Sequence, residues 1–151
     1  MDWPFEIDAE SGILRFSQLR LSLAPRLPLA DFLATDVGSG AKAESSENGC
    51  QRCSVQQTLT DGHRLSIFLI FVDGCLSKVR FDYRSEGECD WSVWSPERER
   101  ARVQEYRNEI ARQLGTRGRF RWGIVDAGYD DKAASAVLFV DYLLDGEEKK
   151  T

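Results

Sequence analysis

The chain has no apolar run long enough to cross a bilayer as a helix; its longest, residues 67–72, has the length of a strand. It also lacks a cationic excess: 20 Lys+Arg stand against 25 Asp+Glu, a formal net charge of −5. That balance excludes nonspecific nucleic-acid binding as the main activity, which needs surplus Lys and Arg to release counterions from phosphates. There is 1 histidine, His63, so an all-protein catalytic zinc site is not expected. No G-x-S-x-G, P-loop or G-x-G-x-x-G occurs; Gly38-Ser39-Gly40 lacks the rest of any phosphate-binding pattern. Internal repeats are missing too. What is present is a 151-residue chain, 42% hydrophobic and 30% charged, with 8 Phe, 4 Trp and 4 Tyr. A chain of this size buries roughly 68–70% of the surface its unfolded form exposes, so no disulfide, metal or cofactor is expected as a staple. The first residues, Met1-Asp2-Trp3-Pro4-Phe5-Glu6, carry acid where a secretory signal carries base. The expected compartment is the cytoplasm, with the 4 cysteines reduced.

Patterning predicts an α+β fold with an antiparallel sheet and helices on one face. Phe5 and Ile7, turn residues 8–12, then Ile13, Leu14 and Phe16 read as a hairpin, with Leu19, Leu21 and Leu23 continuing the period of two. Pro28 opens a short helix with Leu29, Phe32 and Leu33 at helical spacing. Residues 38–49, rich in Gly and Ser, are expected to be a mobile loop within a single domain spanning 1–145, and residues 146–151 a solvated tail. Three central strands follow, with turns at Asp61-Gly62 and Asp73-Gly74. The second, 64–72, is apolar on both faces, the pattern of a strand covered on both sides. In the third, Cys75, Ser77, Val79, Phe81 and Tyr83 share one face, while Lys78, Arg80 and Asp82 share the other. Ser95 and Pro96 start a helix over 96–114, with Val103, Tyr106, Ile110 and Leu114 as its apolar stripe and Gly115 as its stop. Its opposite face, including Arg107, Glu109 and Arg112, reads as solvated. A last hairpin places Phe120, Trp122 and Ile124 on one strand, a connection over 126–132, and a return strand through Ala136, Leu138, Val140, Tyr142 and Leu144.

Chemistry-bearing residues are sparse. Cys50 and Cys53 form C-x-x-C, with Cys75 and Cys89 downstream, but a zinc ribbon repeats the knuckle and Cys75 alternates like a core residue, so no metal site is assigned. The redox use of C-x-x-C wants a helix after the motif, and here a strand follows. His63, beside a hairpin turn, reads as a surface residue rather than half of a nucleophilic pair. No catalytic residue is assigned. Asp126, Tyr129, Asp130 and Asp131 cluster in the expected connection and read first as loop and second as a contact site. Trp91 and Trp94 precede the long helix, where they either pack under its start or anchor a partner. These six are the candidate partner-binding residues. Arg117, Arg119 and Arg121 stripe one strand face, too few in an acidic chain for a nucleic-acid surface.

Three stretches carry a resemblance: Ile7-Asp8-Ala9-Glu10-Ser11-Gly12-Ile13-Leu14-Arg15-Phe16, the hairpin Phe71-Val72-Asp73-Gly74-Cys75-Leu76, and Trp122-Gly123-Ile124-Val125 followed by Tyr129-Asp130-Asp131-Lys132-Ala133-Ala134-Ser135-Ala136. In plan the chain resembles small bacterial proteins that include immunity proteins against secreted toxins. The resemblance implies a cytoplasmic, non-enzymatic protein whose partner is a cognate toxin, and it transfers no individual residue. The alternative from the residues alone is a small ligand-binding domain or enzyme with a pocket near Asp126, Tyr129, Asp130 and His63.

Overall fold

The computed structural model describes residues 3–44, 49–85, 94–116, 118–132 and 134–143. The alternation at its start yields three short antiparallel strands: β1 (Glu6–Ile7), β2 (Leu14–Phe16) and β3 (Leu21–Leu23). The first turn forms as its residues demand. Asp8 Oδ1 accepts from the amides of Glu10 and Ser11, and Gly12 takes φ +76°. The extended pattern is interrupted at Leu19, where residues Ser17–Leu19 make a 3-10 turn that reverses the chain into β3.

Two short helices follow, α1 (Leu29–Leu33) and α2 (Asp36–Ser39), the second capped by the Thr35 hydroxyl, which accepts from Gly38 N–H. The segment read as loop thus opens with a helical turn, and it continues into an edge strand, β4 (Lys42–Ala43), paired with Ser54 and Cys53. The meander is β5 (Cys50–Thr58), β6 (Arg64–Val72) and β7 (Cys75–Arg84), joined at the two expected turns. The long helix α3 (Pro96–Leu114) has the expected bounds; Ser95 Oγ accepts from Arg98 N–H, and Gly115 ends it at φ +81°.

The C-terminal part departs from the expected hairpin. Three strands form, β8 (Gly118–Phe120), β9 (Gly123–Asp130) and β10 (Ser135–Tyr142). Residues 126–130, expected in a connection, continue β9 and pair in register with β10 as far as Asp130↔Ser135. The complementary apolar run of β10 outweighed the Asp and Gly content of the segment. Trp122 lies in the turn between β8 and β9, stacked on Phe120 with ring centroids 5.1 Å apart, and its Nε1–H donates to Ala9 O. Val125 and Ala127 point into the core, while Ile124, assigned to the Trp122 face, is only half-buried.

Among the described residues the larger sheet has the order β4-β5-β6-β7-β10-β9-β8 and is antiparallel throughout. One of its faces builds the core: Leu65, Ile67, Leu69, Val79, Phe81, Leu138 and Val140 are all essentially inaccessible. The small sheet closes on that face through Phe5 and Phe16 against Phe81, α1 through Phe32 against Phe71, and α3 through Tyr106 and Ile110. Helices therefore pack on one face, as the patterning predicts. The other face is uncovered among the described residues. Phe68, at the centre of β6, is 50% exposed. The expectation that β6 is covered on both sides fails there.

Candidate functional site

The uncovered face is not flat, and the cause lies in strand pairing. β7 and β10 pair from Lys78↔Asp141 to Phe81↔Leu138. Beyond Phe81 the amide of Ala136, which a continuing ladder would have used, donates instead to Glu99 Oε1 at 3.0 Å. Glu99 comes from α3 on the core side and is 2% exposed. Arg84 reaches through the opening to bind both Glu99 oxygens, and its Nε also donates to Asp82 Oδ2 at 3.3 Å. Arg102 completes the cluster, 3.7 Å from Glu99 Oε2. Beneath it the Tyr106 hydroxyl donates to Tyr83 O and accepts from Tyr83 N–H.

The same divergence opens a trough on the uncovered face, with a volume of about 560 Å³. Phe68, Ile70 and Val137 supply apolar floor; Glu44 and Arg52 stand at one end, Asp130 and Lys132 at the other, and Arg80 and Asp82 lie between. A second hollow, about 500 Å³, shares Arg80, Asp130, Lys132 and Val137 with it and extends over Phe139, Asp141 and Tyr129 to Asp131. Arg80 is fixed between them: its guanidinium lies 5.0 Å from the Phe139 ring centroid and donates to Asp141 Oδ1 at 2.6 Å.

Electrostatically the carboxylates divide. Burial pushes Glu99 up, but its hydrogen bonds with Arg84 and Ala136 N–H outweigh that and hold it below the usual carboxylate range. For Asp82 burial wins, and its carboxyl is raised despite the nearby Arg84 guanidinium, which Glu99 also engages. Asp82 is therefore an acid at the trough for which burial outweighs the pull of Arg84 and Arg102.

Of the six sequence candidates, Tyr129, Asp130 and Asp131 gather beside the trough, Tyr129 being 44% exposed. Asp126 takes a structural role: Arg107 bridges its carboxylate and the Ala127 carbonyl along β9. Trp94 donates from Nε1 to Ala134 O, tying the start of α3 to the β9–β10 turn. Trp91 lies outside the described residues. His63, grouped with these acids in the alternative reading, is apart from them. It sits before β6, with β7 and β10 between it and β9, or about 14 Å of strand spacing. There it stacks on Tyr83 with centroids 4.6 Å apart, and its amide donates to Asp61 Oδ1. The Tyr83 hydroxyl, pushed up to about 12 chiefly by burial, donates to Asp61 Oδ2.

The cysteine pattern resolves in the same strand geometry. Cys50 and Cys53 both lie within β5 three residues apart, so alternation sends them to opposite faces; Cys53 is buried, and burial raises its thiol. Among the described residues no group of His, Cys, Asp and Glu could hold a metal ion, and Cys89 lies outside them. No helix there is long and apolar enough to cross a membrane.

Sequence reasoning missed Phe68, Arg80, Asp82 and Glu99. The signal available for Phe68 was β6 itself, apolar on both faces in a chain with few elements left to cover the second. Glu109 was also misplaced. Assigned to a solvated helix face, it is 5% exposed and accepts from Arg112 and Gln113.

No family model matches the chain and no curated protein matches it in sequence. In structure it is similar to a chain of the solved complex of Rhs1-CT with its cognate immunity protein RhsI1, at a TM-score of 0.64 and 14% identity, covering 97% of this chain and 93% of that one. The likeness to this toxin–immunity complex is one of fold.

Proposed function

We propose that the chain is an immunity-type protein: a non-enzymatic, cytoplasmic module that binds a cognate bacterial toxin and blocks it. The observation that carries this reading is the fold likeness over 97% of the chain to a member of a complex containing a cognate immunity protein. The surface supports it. An open trough with an apolar floor and charged ends suits a protein segment, because interfaces combine a desolvated apolar centre with a polar rim. Tyr129, Asp130 and Asp131 are the sequence-predicted residues retained as partner contacts, together with the trough they border. Asp126 and Trp94 also make contacts within the fold, to Arg107 and to Ala134 O.

The test is co-purification with the product of the adjacent gene, followed by association kinetics over a salt series. Association is expected to be fast at low salt and to slow as ionic strength rises, because an acidic domain steers toward a basic partner. One observation favours a second reading: about 560 Å³ is the volume of a small-molecule site. Saturable binding of a small metabolite, with no binding of the neighbouring product, would replace the immunity reading.

A further inference from the structure

The trough combines three features that each limit what can occupy it. The first is apolar surface left uncovered among the described residues. Among the described residues the large hydrophobics left exposed are Leu33, Phe68 and Tyr129, and of these Phe68 lines the trough. Scattered single exposures are ordinary, but Phe68 stands with half-buried Ile70 and Val137 in the lining of one trough.

The second feature is charge. Across the trough and the adjoining hollow, carboxylates outnumber cations by five to three. Arg80 and Asp141 cancel as a 2.6 Å pair. Asp82 is likewise paired with Arg84 at 3.3 Å, and the other charged side chains of the lining are Glu44, Asp130 and Asp131 with Arg52 and Lys132, so carboxylates still outnumber cations. An occupant of opposite sign gains from this balance, and an acidic one is repelled. The third feature is the state of Asp82. Its side chain keeps only 19% of its exposure, and the guanidinium beside it is shared with Glu99. A further cation brought to it would enter a partly desolvated setting, where ion pairs couple more strongly than on an open surface.

We infer that this trough is the toxin-contact surface, and that it takes a partner segment whose basic side chain meets Asp82 and Asp130 while neighbouring apolar side chains cover Phe68. The inference rests on the immunity reading and adds to it the place and chemistry of the contact. The polar rim would come from Glu44 and Arg52 at one end and from Asp131 and Lys132 at the other.

The experiment is isothermal titration calorimetry of the full chain with the purified product of the adjacent gene as probe. Phe68→Ala and Asp82→Asn are each expected to raise Kd about tenfold or more, as loss of a central anchor does. Leu33→Ser, at an exposed apolar residue on α1, is expected to leave Kd unchanged. Should Asp82→Asn fail to fold, Glu44→Lys, at an exposed position, and Asp130→Lys carry the same charge test. Tight binding by wild type with every trough variant within about twofold of it would overturn the inference and leave the immunity reading standing. No binding by wild type would overturn both.

Discussion

Removing the Glu99 carboxylate is the sharpest perturbation the fold offers. Glu99 is 2% exposed, accepts from both Arg84 Nη groups and from Ala136 N–H, and lies 3.7 Å from Arg102 Nε. Glu99→Ala would leave two guanidinium groups and a backbone amide in the opening between β7 and β10 without their shared acceptor. Breaking a buried ion pair from one side costs about 3–5 kcal/mol, against a total stability of about 5–15 kcal/mol for a domain. At about 2–4 °C per kcal/mol for a chain of this size, the thermal midpoint should fall by about 6–20 °C. Urea unfolding followed by tryptophan fluorescence measures the loss, with the slope of the transition unchanged if only stability is altered.

Glu97→Ala is the internal control. Glu97 lies two residues away on the same helix, in a 3.6 Å pair with Arg100, and both side chains are more than two-thirds exposed. Such pairs contribute little, and its midpoint should move by no more than about 2 °C. The pH dependence adds a second readout. Because the folded carboxyl of Glu99 is held below its ordinary 4.5, its contribution is complete above that value and is lost as pH falls through the folded value. Glu99→Gln should flatten that acid limb. A loss under about 1 kcal/mol for Glu99→Ala, or equal effects at 97 and 99, would refute the reasoning, since the cluster would then be exchanging freely with water.

Two further substitutions probe the core. Ile110→Asp, at a fully buried position on the α3 stripe, should unfold the protein: truncation alone costs about 2–5 kcal/mol, and an unpaired buried charge more. Unchanged melting would show that the stripe faces elsewhere. Gly12→Ala combines φ +76° with a Cβ driven into the Trp122 ring, and should cost about 2 kcal/mol or more, read as a lower urea midpoint. Full stability there would mean that the first turn is not wedged against the β8–β9 turn.

The sequence made the regular parts of this fold legible and hid what depends on distant partners. α3 could be bounded to the residue because Ser95, Pro96 and Gly115 act locally on backbone geometry. The two meander turns were equally local, since Asp-Gly suits the backbone they require. The course of β9 was not local. Its Asp126, Gly128 and Asp130 read as loop chemistry, and only the apolar run of β10 pairing beside them makes a strand. Glu109, read as part of a solvated face, is buried with partners from its own helix, Arg112 and Gln113, and the role of Glu99 depends on Arg84 and the Ala136 amide, which other elements bring to it. The trough was out of reach for the same reason: it exists because Ala136 N–H bonds to a helix side chain instead of to β7.

One strand carries both demands on this molecule. On β7, Val79, Phe81 and Tyr83 point into the core, while Arg80 and Asp82 line the trough. Period-two alternation separates these roles residue by residue, so changing a trough side chain need not disturb packing beneath it. Asp82 shows what that freedom permits. Its raised carboxyl means that folding disfavours its charge, so the contribution to stability falls as pH rises through the folded value. The structural partner of Asp82 is Arg84, which Glu99 holds as well, so the fold can keep that guanidinium in place without the Asp82 charge. Asp82→Asn should accordingly melt at or above the wild-type temperature while losing affinity for the partner. That opposition of signs separates a contact residue from a structural one. A substitution that lowered stability and affinity together would place Asp82 with Glu99, as part of the fold.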